Sequence, residues 1–420
     1  MKGYHHPELG IGVTFDDVVL LGGARTPFGD LGGGLARISP TDLGIAASRA
    51  ALERTGVEGR EIDQVIVANI GQASFDAYFV ARHIALYAGV PQSVPALQVQ
   101  RICASGIETL VTGAEQIEIG KADTVLCCGA ENMSLAPTAG FGNRLGYHLG
   151  GVVFKDMLWE ALDDTAAGTT MGGTAENVAE RYGVTRCDVD AFALDSQDRA
   201  AAAEARGWFA GEIAPVGSAT FEATGLAPRS IRIGRNGTLV ERDEHVRATK
   251  LESLAKLPAA FRGDGIQTAG NSAGIVDGGA SAVIASGERA RRTGRTPIAR
   301  IVAAASCGVD PKQMGIGPVP AIELLLSLTG LSIDQIDLFE INEAFAAQVV
   351  AVERLLGLDH ALVNINGGAI ALGHPLAATG VRLALTAARA LHERDGRYAI
   401  VTACIGGGQG TALLIERPTS

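Results

Sequence analysis

The sequence predicts an α/β fold made of two related halves, with a long segment inserted into the first. Three features predict it: an internal repeat, the equal distance at which a second pair of matches follows, and the point where the two copies diverge. The repeat starts as L-E-R-T-G-V-E-G-R-E-I-D-Q-V-I-V-A-N, through Thr55, Gly56, Ile62, Asp63 and Gln64. It returns as L-S-L-T-G-L-S-I-D-Q-I-D-L-F-E, through Thr329, Gly330, Ile333, Asp334 and Gln335. Each copy reads as a helix stopped by glycine, a short turn and an apolar strand. Ser105-Gly106 follows Thr55-Gly56 by 50 residues, and Thr379-Gly380 follows Thr329-Gly330 by the same 50.

From each of those pairs a helical pattern continues: Ile107, Leu110, Val111, Ala114 and Ile117 in one, Val381, Leu383, Leu385 and Ala388 in the other. An apolar strand then reaches Gly129 in T-V-L-C-C-G and Gly406 in A-I-V-T-A-C-I-G. After Cys404 the chain turns through G-G-G-Q-G straight into the strand T-A-L-L-I-E, whereas the comparable D-G-G-A-S-A-V-I-A-S begins only at Asp277. The interval holds Gly-, Asn- and Pro-containing loops and two helical runs, near Thr174–Tyr182 and Asp188–Gly207. The expected organisation is a first half at 1–132 and 275–296, an inserted loop domain at 133–274, and a second half at 297–420. Strands alternating with helices imply βαβ units and mostly parallel sheets.

Composition bounds the function. Of 420 residues 47% are hydrophobic and 19% charged, which supports a large buried core and excludes disorder. The net charge of −11, with no Lys/Arg block, argues against nucleic acid and anionic membrane as partners. Six cysteines (Cys103, Cys127, Cys128, Cys187, Cys307, Cys404) in so long a chain do not make a secreted disulfide framework, and neither C-x-x-C nor H-E-x-x-H occurs to suggest a metal site. The N-terminal M-K-G-Y-H-H lacks a signal-peptide apolar region, and no apolar run approaches the ~20 residues that span a bilayer. The expectation is a soluble, cytoplasmic protein with no metal.

Four positions carry candidate chemistry. Cys103 opens a helix, where unpaired N–H groups and the helix dipole favour thiolate, although a cysteine more commonly serves as a small buried hydrophobe. His374, in A-L-G-H-P, lies near the corresponding helix start of the second half; an imidazole is the usual base for a thiol, yet a glycine-flanked histidine is often a satisfied loop residue. Cys404 ends a strand where open α/β sheets place their chemistry, and the glycines after it leave backbone N–H groups free to form an oxyanion site. Asn342, in E-I-N-E-A-F, reads by itself as a helix cap. Gly270-Asn271-Ser272-Ala273-Gly274 fits the G-x-S-x-G of serine hydrolases, but lacks the strong strand before it and the helix after it.

Together, A-R-T-P-F-G (24–29), I-C-A-S-G (102–106), G-A-E-N-M-S (129–134), T-A-G-N (268–271), N-E-A-F (342–345), G-H-P (373–375) and C-I-G-G-G (404–408) resemble the thiolases, the acetyl-CoA C-acyltransferases, in order and over nearly the whole chain. The resemblance implies duplicated βαβαβαββ halves in five layers (α-β-α-β-α) with an inserted loop domain. It implies Cys103 as the acylated nucleophile, His374 as its base, and Cys404 as the acid/base at the substrate α-carbon. It further implies that Asn342 holds a water which, with His374, stabilises the enolate, and that the N–H groups of Cys103 and Gly406 form a second oxyanion hole. Coenzyme A enters as substrate or product and no cofactor is needed. Phe261 and Phe345 would wall the pantetheine tunnel, Met171 would border the acyl site, and Arg247 would meet the adenine end.

Departures bear on the substrate. The family's usual serine in the coenzyme A pocket is Ala273 here, with Ser272 one place earlier. Thr170 precedes Met171 where short-chain biosynthetic members carry histidine, and Gln409 stands where they have methionine. The implied activity is an acetyl-CoA acetyltransferase, condensing two acetyl-CoA or cleaving acetoacetyl-CoA. The alternative is a degradative 3-ketoacyl-CoA thiolase of β-oxidation acting on longer chains. A ketoacyl synthase would carry a second histidine in place of Asn342 and lack Cys404, and a non-enzymatic acyl-CoA-binding relative would have lost its nucleophile. The segment Pro137–Asp156 resembles the loop through which thiolases assemble as tetramers, so a homotetramer, a dimer of dimers, is expected.

Overall fold

Glycine ends the helices on which the repeat was read. In a computed structural model describing residues 1–147, 149–233 and 239–418, α1 (Pro40–Thr55) stops at Gly56 with φ 63°, and its counterpart in the second half, Pro318–Thr329, stops at Gly330 with φ 69°. Both glycines adopt the left-handed conformation that side chains resist.

In the first half, β1 (Gly10–Arg25) and α1 lead to β2 (Gln64–Ala68), α2 (Val80–Tyr87), β3 (Ala96–Val99), α3 (Ser105–Glu118) and β4 (Thr124–Glu131). The chain then leaves the sheet, forms α4 (Met171–Arg181) and α5 (Arg186–Ala205), and returns as β5 (Val276–Ser286). Since β5 pairs antiparallel with β4, the excursion is inserted between two adjacent strands. In the second half, β6 (Ala299–Gly308), α6 (Pro318–Thr329), β7 (Leu338–Ile341), α7 (Ala346–Leu356), α8 (Leu376–Glu393), β8 (Tyr398–Ile405) and β9 (Gln409–Glu416) follow.

The strands run in the order β7-β8-β9-β6-β1-β5-β4-β2-β3. Pairing is parallel for β2 with β3 and β4, and for β7 with β8; all other pairs are antiparallel, so the sheet is mixed rather than mostly parallel. The long β1 pairs with β5 on one edge and β6 on the other, joining the two halves. Helices α3 and α8 pack on each other between the halves, α1 and α2 cover the first half, and α6 and α7 cover the second. This gives the α-β-α-β-α layering, with one apolar core around the inner helices and one under each outer pair.

The structure corrects two readings of the repeat. The halves correspond at one constant offset: Gly56 to Gly330, Asp63 to Asp337, Gly106 to Gly380, Thr124 to Tyr398. The second I-D-Q therefore sits three residues before the true match. Its Ile333–Gln335 forms a 3₁₀ turn equivalent to Gly59–Glu61, and Asp337 is the partner of Asp63. Asp63 accepts the N–H groups of Asp123 and Thr124 at 2.9 and 3.0 Å, and Asp337 those of Arg397 and Tyr398 at 2.7 and 2.9 Å. The second half also lacks a full third strand: an isolated bridge, Phe339 to Val363, stands in its place, because Asn364 turns the chain away at φ 45°.

Two glycines let the inner helices meet at their N-termini. A Cβ on Gly380 would lie 2.2 Å from the Ile107 nitrogen, and one on Gly106 would lie 2.7 Å from the Ala377 oxygen. Only backbone without side chains approaches so closely, and the contact brings the turns bearing Cys103 and His374 together. Among the described residues, no helix is long and apolar enough to cross a membrane.

Candidate active site

Cys103 sits in a 3₁₀ turn, Ile102–Ala104, just ahead of α3. Ile102 has φ 42°, an outlying conformation for a β-branched residue and a local strain of about 1–3 kcal/mol. The next turn holds the strained one in place: the Arg101 N–H donates to Ser105 Oγ at 2.7 Å. The Cys103 side chain is 7% exposed among Met133, Leu376, Leu158 and Ile275. Burial pushes its thiol up to about 11, although its own N–H and that of Gly406 both point at the sulfur. This corrects the expectation that the helix start yields a resting thiolate: desolvation outweighs the dipole and the two donors. Those same N–H groups are the pair expected to form an oxyanion hole.

His374 follows Gly373, and its N–H donates to the Gly274 carbonyl at 2.9 Å. Its ring is fixed from both sides. Nδ1 lies 2.6 Å from Thr379 Oγ1, whose own proton goes to the Pro375 carbonyl at 3.1 Å, so the hydroxyl accepts from Nδ1–H. Nε2 lies 3.3 Å from Asn342 Nδ2, an amide donor, so Nε2 accepts. Both contacts require the same neutral tautomer, with the Nε2 lone pair available as a base. Burial, with a smaller effect from the nearby Arg382 charge, holds the imidazole down to about 3.

Asn342 follows β7, donates its N–H to Thr402 at 2.9 Å and is fully buried. It is not a helix cap, since α7 starts at Ala346 with Phe345 before it. Its Oδ1 has no partner among the described residues, leaving an acceptor for a bound water. Cys404, at the end of β8, is fully buried and close enough to Cys103 for their charges to interact; burial first, then Cys103, push its thiol well above the ordinary range.

Of these groups Cys103 and His374 open on an apolar cavity of about 140 Å³, lined also by Trp159, Leu162, Met171, Met314, Phe261 and Phe345 among others, while Asn342 and Cys404 lie fully buried behind it. Phe261 and Phe345 meet edge to face with centroids 5.7 Å apart, and Phe261 lies against Gly172, where a Cβ would come 2.2 Å from the ring. Ser272 and Ala273 border the same cavity, but the Ser272 hydroxyl donates to the Thr268 carbonyl at 2.8 Å. The Ser272 proton is thus engaged within its own turn. Arg247 is exposed and does not line the cavity; its Nη2 donates to His245 Nε2 at 2.9 Å, and His245 Nδ1 bonds Asp30 at 2.5 Å. His245, which has no partner legible in the sequence, packs on Gly274 in the cavity wall.

Residues 18–288 match the family model described as thiolase, N-terminal domain, and residues 295–417 match thiolase, C-terminal domain. The chain belongs to the thiolase family. It is 43% identical over 401 residues to the mitochondrial 3-ketoacyl-CoA thiolase of Bos taurus, covering 95% of this chain and 98% of that one. It is equally 43% identical over 407 residues to the acetyl-CoA acetyltransferase of Pseudomonas aeruginosa, covering 96% and 99%. The crystal structure of human mitochondrial 3-ketoacyl-CoA thiolase superposes with a TM-score of 0.92 at 42% identity over 97% of this chain and 100% of that one. The same human protein in complex with CoA gives 0.90 at 42% identity, over 96% and 98%. The protein is a thiolase acyltransferase.

Proposed function

We propose that this thiolase cleaves and forms 3-ketoacyl-CoA thioesters of short to medium acyl chain, acetoacetyl-CoA included, through an acyl group on Cys103. The lining of the cavity supports this range: Leu162, Met171 and Met314 put apolar surface in the same cavity as Cys103, which suits an alkyl chain longer than an acetyl methyl. Thr170 and Gln409, in place of the residues of short-chain biosynthetic members, point the same way. A narrower reading, an acetyl-specific acetyltransferase, draws on the equal likeness to the Pseudomonas enzyme.

In this reading His374 Nε2 takes the Cys103 proton as the sulfur attacks the thioester carbonyl. The oxyanion meets the N–H groups of Cys103 and Gly406, and coenzyme A leaves as its thiol with that proton. The neutral resting pair suits this chemistry, because the thiolate forms only as it bonds to carbon, which avoids a standing buried charge. His374, neutral again, takes the Cys404 proton, and the resulting Cys404 thiolate removes an α-proton from the second acetyl-CoA. A water on Asn342 Oδ1 and the Nε2–H of protonated His374 donate to the enolate oxygen while the carbanion attacks acyl-Cys103, whose departing sulfur takes the His374 proton. Phe261, Phe345 and Met171 bound the pantetheine arm and the acyl group, and Arg247 meets the nucleotide end.

The assembly belongs to the same proposal. Phe141, Leu145, Leu149, Val153 and Phe154 are exposed within 137–156 (His148 of that segment lies outside the described residues), and the edge strand β3 carries exposed Leu97. Exposed apolar patches and an uncovered strand edge call for partners, consistent with a homotetramer, which light scattering checks. A cytoplasmic location rests on the sequence alone, since the relatives of equal identity include mitochondrial proteins.

The experiment is thiolysis by coenzyme A of acetoacetyl-, 3-ketohexanoyl-, 3-ketodecanoyl- and 3-ketohexadecanoyl-CoA, compared by kcat/KM. The proposal expects activity on the first, a maximum at the second and a fall beyond. Activity confined to acetoacetyl-CoA, or rising through the longest substrate, contradicts it.

A further inference from the structure

One buried ion pair next to the site is not used by the mechanism. Arg382 Nη1 meets Glu340 Oε2 at 3.1 Å, with side chains 0% and 2% exposed. The other guanidinium nitrogens, Nε and Nη2, have no hydrogen-bond partner among the described residues. An arginine does not shed its proton in a protein, so a full charge is held in the core; it meets Glu340, whose carboxyl burial pushes up to about 8 against the pull of Arg382, and it also acts on the buried Glu343. For stability alone such a pair is a poor choice, because well-packed apolar residues of the same volume do as well.

Its position relates it to the site. Glu340 lies on β7 two residues before Asn342, which directly follows the strand and donates its N–H to Thr402 of β8, so the extended chain carries both on one side. Arg382 lies three residues after Thr379 on α8, one turn further along the same face. Strand and helix are thus tied twice, by Asn342–His374–Thr379 at the site and by Glu340–Arg382 one step deeper. We propose that the Arg382–Glu340 pair is a positioning device that fixes β7 against α8 and thereby holds the Asn342–His374 couple in its working geometry. The inference rests on the thiolase chemistry assigned above to those two residues. The Arg382 charge also opposes a second proton on His374, which keeps the base in its active form.

The test is the double variant Arg382→Met/Glu340→Gln, which removes both charges while keeping volume, with Arg382→Lys as the variant that retains a cation. Thiolysis of acetoacetyl-CoA, exchange of the acetyl-CoA α-protons with deuterated solvent, and melting temperature are measured on each. A misplacement of about 1 Å at a reacting centre can cost roughly 100-fold in rate. The double variant should therefore keep its melting temperature and KM within twofold, yet lose about 30- to 100-fold in kcat and in proton exchange. Arg382→Lys should recover most of that loss. A double variant as active as wild type, or a loss confined to KM, overturns the inference and leaves the activity standing. A double variant too unstable to assay shifts the decision to Arg382→Lys and Glu340→Gln, where equal activities near wild type likewise overturn it. Wild-type protein that turns over no 3-ketoacyl-CoA refutes the proposed substrates and this inference with them.

Discussion

Thr379→Val removes one hydroxyl, which accepts from His374 Nδ1–H and donates to the Pro375 carbonyl; that carbonyl keeps the N–H groups of Ala378 and Thr379. Valine keeps the branched shape, so the fully buried contact between α8 and the His374 loop persists. What disappears is the oxygen 2.6 Å from His374 Nδ1. In the resting enzyme that bond joins two neutral groups; once His374 has taken the Cys103 proton, it joins an imidazolium to the hydroxyl. Hydrogen bonds between neutral groups contribute about 0.5–1.5 kcal/mol net and those to charged groups about 1.5–3. Only the difference, roughly 1–1.5 kcal/mol, is felt as slower acylation. The imidazole can also escape the lost bond by moving its proton to Nε2, which removes the base and adds a similar cost. Together, at about 2–3 kcal/mol, these predict acylation roughly 30- to 140-fold slower, at about tenfold per 1.4 kcal/mol. Quenched-flow mixing with acetyl-CoA, followed by the mass of the Cys103 peptide, measures the step directly. Thr379→Ser, which restores the hydroxyl, should stay within threefold of wild type. Acylation of Thr379→Val at the wild-type rate, or equal slowing in the serine variant, would refute the tautomer argument.

Three further predictions follow from the same geometry. Cys103→Ser should abolish the acetyl adduct, whereas Cys404→Ser should still acylate and yet fail to condense; adduct mass and condensation assays separate the two. Alkylation of Cys103 by iodoacetamide without substrate should be slow at neutral pH and rise about tenfold per pH unit towards the raised thiol value near 11, because thiolate is the reacting form; peptide mapping separates it from exposed Cys187. Ser272→Ala should lower stability by about 0.5–1.5 kcal/mol through the lost bond to Thr268 while leaving the KM for coenzyme A within twofold, since that hydroxyl faces its own turn. Thermal melts and steady-state kinetics check both parts.

Much of this molecule is legible in its sequence because the chain states its plan twice. Gly56 and Gly330 end matching helices, and Gly106 and Gly380 mark where the inner helices touch; each is required by backbone geometry. The roles expected of Cys103, His374, Asn342 and Cys404 come from the resemblance to the thiolases; by themselves Cys103 reads equally as a small buried hydrophobe, His374 as a loop residue and Asn342 as a helix cap. What stays hidden depends on how the halves pack. That Thr379 accepts from His374, or that Arg382 reaches Glu340, follows from the crossing of α8 and β7, and no local pattern encodes it. The resting state of Cys103 escapes the sequence because a helix start is visible there and the Met133, Leu376 and Ile275 that desolvate it are not. I-D-Q misleads for a simpler reason: Ile336-Asp337 repeats two of its letters three residues later, and only the hydrogen bonds of Asp63 and Asp337 show which copy corresponds.

The central claim is that Cys103 carries the acyl group. Brief exposure of the intact protein to acetyl-CoA, followed by peptide mass mapping, tests it most directly. The account predicts one acetyl group on the Cys103 peptide, removed again when free coenzyme A is added; an adduct on Cys404 or Ser272, or none at all in protein that turns over acetoacetyl-CoA, would contradict it.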